Sequence, residues 1–271
     1  MKKVRIFLVL MLTILCFFIV KSNDLDSNVM PVSAITINAY KADKKIAYLT
    51  FDDGPSKRVT PEILDILEDY NIKASFFVIG SKAKENPEIL KREYEEGHFI
   101  GNHTYTHNNG KIYRSKESFL GEIEETDKVI EEILGIENFK CKIFRFPNGS
   151  VSRAYAYEKK LCFGYLDEIG YKYVDWNALN NDSIRKYSTE QLLKNLKDTV
   201  KDKKIVIVLM HDSGDVNKTY DVLEDSIKFL IDEGFEFHTL YDFIWQLKSN
   251  QMLCGFLGKY SYFYCIIIIL W

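Results

Sequence analysis

Two adjacent carboxylates, Asp52 and Asp53, close the apolar run of "YLTFDDGPS" (48–56). Like charges side by side repel, and desolvating them costs energy unless a cation or a proton separates their roles. Gly54-Pro55-Ser56 turns the chain at once, which predicts a carboxylate pair at the mouth of a strand. A solvated turn is the ordinary reading of an isolated D-D-G-P. Downstream, however, "GNHTYTH" sets His103 and His107 four residues apart. On a helix that spacing puts both imidazoles on one face, an arrangement that grips a divalent cation. Two histidines and one carboxylate, from Asp52 or Asp53, leave positions open for water and substrate, as hydrolytic metal sites require. The other aspartate is then free to take a proton from the attacking water as general base.

Two further segments offer partners. "VIVLMHD" runs an apolar strand into His211, a histidine placed to protonate a leaving amine from the opposite wall. "RFPNGS" (145–150) supplies Arg145, whose planar fork could orient the base by charge-assisted hydrogen bonds. Pro147 and Gly149 shape a loop there whose backbone N–H could face an oxyanion. Taken singly, each segment also reads as an ordinary strand end or turn.

These groups need a scaffold that brings strand ends together. Strands are predicted over 45–51, 74–80, 142–147, 171–177, 204–211 and 235–240, alternating with helices over 60–70, 86–97, 115–135, 188–201 and 218–233. Thr60 and Pro61 mark one helix start, and Gly97 stops the helix over 86–97. Near-continuous apolar strands between amphipathic helices predict an α/β fold with a parallel sheet, closed as a (β/α) barrel. In such barrels chemistry sits at the carboxyl ends of the strands. Asp52, Asp53, His103, His107, Arg145, Asp175, Trp176 and His211 all fall at that end.

The 271 residues carry a net charge of -3, with 46% hydrophobic and 28% charged positions. That composition is globular and leaves no basic footprint for nucleic acid beyond the N-terminus. The first residues set Lys2, Lys3 and Arg5 before an uncharged run from Ile6 to Val20. Such a run spans roughly 22 Å as a helix, short of a ~30 Å hydrocarbon core. It reads as a signal peptide or a short signal anchor (1–22), with the anchor preferred, and the rest of the chain exported. A polar linker (23–43), a catalytic domain (44–248) and a hydrophobic tail (249–271) follow. The tail holds one charge, Lys259, and reads either as a membrane-seeking segment or as an element packed on the barrel. Five cysteines without C-x-x-C spacing exclude a disulfide framework or cysteine-based zinc chemistry, though a Cys141–Cys162 bridge is conceivable outside the cell.

In combination and order, from about Lys45 to Leu240, these segments resemble the polysaccharide deacetylase family, the NodB-homology carbohydrate esterases (carbohydrate esterase family 4). "TFDDGPS" is similar to its first motif, which implies Asp52 as general base and Asp53 as metal ligand. "HTYTH" is similar to the second and implies His103 and His107 as the remaining ligands. "RFPNGS" is similar to the third, with Arg145 supporting the base and the backbone after Pro147, at Asn148, helping to hold the oxyanion. "LMH" is similar to the fifth, implying His211 as general acid beside Leu209 in the substrate wall. The fourth motif departs. In "DWNALNNDS", Trp176 matches and Asp182 takes the position that tunes the acid histidine, but Leu179 replaces an acid and Ser183 a tryptophan. Asn148 also stands where glycine or tyrosine is common.

The resemblance implies a distorted (β/α) barrel of the NodB-homology type. It also implies metal-dependent N-deacetylation of an N-acetylhexosamine polymer, with Zn²⁺ the expected ion and Co²⁺, Mn²⁺ or Ni²⁺ as alternatives. With the export segment, peptidoglycan N-acetylglucosamine is the leading substrate. N-acetylmuramic acid, chitin oligomers, a secreted glucosamine polymer and xylan are the alternatives. Trp176 would stack on a sugar or pack in the core. The expected protein is a monomer that acts outside the cytoplasm on cell-wall glycan. A non-catalytic wall-glycan binding module is the rival class.

Overall fold

The computed structural model describes residues 44–214 and 218–242. The segment read as an export signal, the stretch to residue 43 and the tail from residue 249 lie outside them. Among the described residues no helix is long and apolar enough to cross a membrane.

The strands are β1 (Lys45–Asp52), β2 (Ser75–Val78), β3 (Phe99–Asn102), β4 (Ile143–Phe144), β5 (Lys172–Tyr173), β6 (Ala178–Leu179), β7 (Ile205–His211) and β8 (Phe235–Phe237). All pair in parallel, in the order β5-β4-β3-β2-β1-β7-β6, with β8 added along the start of β1. No ladder joins β5 to β6 among the described residues, so the barrel stays open on that side. This is the distortion of the predicted barrel.

The central strands β1 and β7 are buried almost throughout, which matches their apolar runs. Helices α1 (Thr60–Asp69), α2 (Gly80–Glu85), α3 (Pro87–Glu95), α4 (Asn109–Ile112), α5 (Lys116–Leu134), α6 (Ala156–Glu168), α7 (Thr189–Val200) and α8 (Lys218–Asp232) connect the strands. The long α5 is bounded by the Ser115 side chain at its start and left-handed Gly135 at its end. A capping box of Ser188 and Gln191 opens α7.

Thr60 does not cap α1 as the sequence suggests. The helix begins at Thr60 with Val59 before it, and the Ser56 hydroxyl accepts the Val59 and Thr60 N–H groups. That frees the Thr60 hydroxyl to donate to Asp212 at 2.7 Å. The strand expected over 171–177 is shorter, and the chain resumes as β6 within "DWNALNNDS". Cys141 and Cys162 are both buried and free, so the conceivable bridge is not made. Burial pushes both thiols up, Cys162 to about 12, which leaves them unreactive.

Candidate active site

The register of β1 and β7 sets the frame. Asp52 and His211 are directly paired positions at the ends of these neighbouring strands, and Thr50 and Leu209 pair two residues earlier. Since side chains alternate along a strand, all four project from one face. Leu209 is 7% exposed, one step deeper than His211.

The strand ends at Asp52, and Asp53 after it takes a left-handed backbone (φ 75°). Asp53 Oδ1 lies 3.4 Å from the Nε2 of both His103 and His107. The three donor atoms fall within 4.8 Å of one another. The histidine pair is not on a helix. It sits in the loop after β3, with Thr104 at φ 70° and His107 at φ 54°, and this backbone brings the rings to 5.1 Å between centroids.

These residues fit a metal. His103 Nδ1 is 2.8 Å from the Arg145 carbonyl oxygen, so the neutral ring donates its proton there and turns the Nε2 lone pair toward Asp53. Asp53 Oδ1 is buried and has no hydrogen-bond partner. Lone pairs facing lone pairs call for a cation between them, and two nitrogens with one carboxylate oxygen are donors for a divalent metal. Burial opposes the charge on Asp53, yet the surrounding histidines, His103 first, hold its carboxyl well below the usual range.

Asp52 is 4% exposed and lies beside this donor set without belonging to it. Its Oδ1 accepts from Arg145 Nη1 at 2.8 Å, and its Oδ2 is 3.9 Å from His103 Nε2. Arg145 is fully buried and also donates to Thr50 Oγ1 at 2.7 Å, to the Val174 carbonyl at 3.1 Å and to the Asp175 carbonyl at 3.3 Å. Its guanidinium lies 4.0 Å from the centroid of the Phe77 ring. A cation this constrained holds Asp52 in one orientation.

On the other wall, His211 Nδ1 is 2.7 Å from Asp182 Oδ1, and the His211 backbone N–H donates to Asp182 Oδ2 at 2.8 Å. Thr219 of α8 donates to the same oxygen at 2.8 Å. Burial works against the imidazolium, but the hydrogen bond and charge of Asp182, with Asp52 and Asp53, raise its pKa to about 9. His211 is therefore charged at neutral pH, with Nε2 left to face the site.

The loop after β4 completes the rim. Pro147 is buried and Asn148 exposed at its tip with φ 62°. Trp176, half-buried, packs against Gly149 so closely that a Cβ there would lie 2.9 Å from the ring. Its packing face is thus set by the loop, and its remaining surface borders the rim.

Several supporting residues were missed in the sequence. Glu122 of α5 accepts the Tyr105 and Thr106 N–H groups and the Thr106 hydroxyl, which fixes the histidine loop. Lys82 donates to the Asp53 carbonyl at 2.9 Å. Asp175, which the sequence already placed at a strand end, accepts the N–H and hydroxyl of Ser150. Lys159 of α6 donates to the carbonyls of Pro147 and Gly149. For Glu122 and Lys159 a signal existed, since each is a charged residue on the apolar face of its helix, beside Phe119 and Ile123 or Cys162 and Leu166.

Comparison with known proteins identifies the family and the fold. The family model described as polysaccharide deacetylase matches residues 39–166. A peptidoglycan-N-acetylglucosamine deacetylase of Bacillus cereus is 32% identical over 212 residues, covering 74% of this chain and 71% of the relative. A solved esterase of carbohydrate esterase family 4 from Streptococcus mutans superposes with a TM-score of 0.66 at 26% identity, covering 79% of this chain and 99% of that one. A pseudoenzyme of the same esterase family from Bacillus anthracis is also similar, with a TM-score of 0.62 at 26% identity over 74% of this chain and 65% of that one. The chain belongs to the polysaccharide deacetylase family, a family of hydrolases.

Proposed function

We propose that this protein removes N-acetyl groups from the N-acetylglucosamine residues of peptidoglycan, outside the cytoplasm, using a divalent metal, Zn²⁺ first among the candidates. The observation that carries the reading is the division of the two adjacent aspartates. Asp53 faces His103 and His107 without a proton donor of its own, while Asp52 is held off that set by Arg145. Substrate identity rests on the relatives named for it and on the exported position implied by the N-terminal segment.

In this reading Asp53, His103 and His107 would hold the metal, which would supply Lewis acidity for the hydrolysis. Asp52, held by Arg145, takes a proton from the attacking water. The backbone N–H of Asn148, beyond Pro147, supports the negative charge that develops on the carbonyl oxygen. His211, kept charged by Asp182, gives its proton to the departing sugar amine, and acetate leaves. Leu209 and Trp176 form apolar surface on either side for the acetyl and the sugar. The catalytic domain spans 44–248, with the segment before it exporting and tethering the protein.

The test is acetate release from peptidoglycan and from N-acetylglucosamine oligomers, with and without chelator. Chelator-sensitive release, greater on peptidoglycan, is expected. A folded, metal-loaded protein that binds glycan but frees no acetate would make it a wall-binding module instead.

A further inference from the structure

Lys159 is 1% exposed, on the face of α6 that also buries Cys162 and Leu166. An ammonium has three N–H donors, and burying it without partners is costly. Here Nζ lies 3.0 Å from the Pro147 carbonyl oxygen, 2.6 Å from that of Gly149 and 2.6 Å from Ser152 Oγ. Three donors meet three acceptors, all in the loop after β4. Burial lowers the lysine pKa, against the pull of Asp175 and Cys162.

Asn148 and Gly149 both have left-handed backbones, at φ 62° and 78°, a conformation that asparagine and glycine adopt more readily than other residues. The Gly149 N–H closes a turn onto the Phe146 carbonyl at 2.8 Å, and Asp175 takes the Ser150 N–H. Between them, the Asn148 N–H makes no hydrogen bond among the described residues.

The Pro147–Asn148 peptide is trans, so its C=O and N–H point in opposite directions within one plane. A cation gripping the Pro147 oxygen therefore fixes the Asn148 N–H to point away from α6. It also draws electron density along the amide, which makes that N–H a stronger donor.

We propose that Lys159 is a positioning residue for the reaction, orienting and polarising the Pro147–Asn148 peptide so that the Asn148 N–H stabilises the oxyanion. The assignment rests on the deacetylase reading above. It adds a buried charge that acts through one peptide plane and never touches substrate. Because negative charge on that oxygen develops only as the transition state is reached and is absent from bound substrate, loss of the lysine charge lowers kcat and leaves KM nearly unchanged.

The experiment compares the wild-type protein with Lys159→Met, Lys159→Gln and Lys159→Arg on a soluble N-acetylglucosamine oligomer. Thermal stability and bound metal are measured alongside. Losing one oxyanion donor outright costs about 10²–10³ in kcat, so losing its polarisation should cost about 10–10². Lys159→Met is expected to lose that much with KM within about twofold, and Lys159→Arg, which keeps the charge, to recover part of it. Lys159→Gln keeps donors without charge and keeps the assay decisive if the methionine variant does not fold. A folded glutamine variant with wild-type kcat overturns the role of Lys159, as does a rise in KM that accounts for the whole loss. If the metal-loaded wild-type protein releases no acetate from any glycan, the deacetylase reading itself fails and this assignment falls with it.

Discussion

Arg145 and His103 are joined through the backbone, with the Arg145 carbonyl oxygen 2.8 Å from His103 Nδ1. The same arginine holds Asp52 with its side chain, at 2.8 Å. One residue thus orients a candidate metal ligand through its main chain and a candidate base through its guanidinium. Replacing Arg145 separates these tasks, because the carbonyl stays and the fork does not.

Arg145→Lys keeps a cation but cannot span Thr50, Asp52 and the carbonyls of Val174 and Asp175 together. Its kcat should fall about 10²-fold, while metal content stays at the wild-type level. Arg145→Met leaves Asp52 buried and unpaired, and should cost about 3–5 kcal/mol of stability. Kinetics, metal analysis and denaturant unfolding check both.

Asp182→Asn tests the pH dependence. His211 must be protonated to act as acid, so activity falls as pH rises through its pKa, which Asp182 helps raise to about 9. Without that carboxylate the pKa drops, and the alkaline limb of the pH–rate profile should move to lower pH. A limb that stays in place would remove His211 from the acid role.

Metal binding should weaken on acidification. Burial opposes a proton on His103, but the charges of Asp52 and Asp53 outweigh it and raise the pKa. A proton on Nε2 occupies the lone pair a metal needs, so protons compete with the ion. Asp53 stays ionised far below that range and does not contribute. Calorimetry with Zn²⁺ should show lower affinity at about pH 5.5 than at about pH 8.

Glu93 of α3 is fully buried, and neither carboxyl oxygen has a hydrogen-bond partner. Burial, then the charge of Asp212, pushes its pKa well up. The folded protein therefore keeps this proton while the unfolded chain releases it from about pH 4 upward, so stability drains as pH rises. Glu93→Met should stabilise the protein by roughly 1–3 kcal/mol at neutral pH and by less in acid. Urea unfolding at two pH values measures this.

The strand–helix alternation was legible because the strands flanking the site are long apolar runs, as in β1 and β7. Short strands were not: β6 is two residues within a polar stretch, and only its pairing with β7 defines it. The spacing of His103 and His107 pointed to a metal, but the helix it suggested is absent. Glu122 takes the Tyr105 and Thr106 N–H groups that a helix would use. That contact links residues 16 or 17 positions apart, beyond the reach of a local pattern. Lys159 stood out as a charge on the apolar face of its helix, but its partners were illegible for the same reason, since they are backbone carbonyls of a loop whose path depends on packing.

The central claim is that Asp52 and Asp53 do different work, and one paired measurement tests it. Zinc stoichiometry and acetate release are determined for Asp52→Asn and Asp53→Asn beside the wild-type protein. Asp52→Asn should bind one equivalent of metal and release almost no acetate, whereas Asp53→Asn should lose both. An Asp52→Asn protein that turns over at the wild-type rate, or that loses its metal as Asp53→Asn does, would contradict the division.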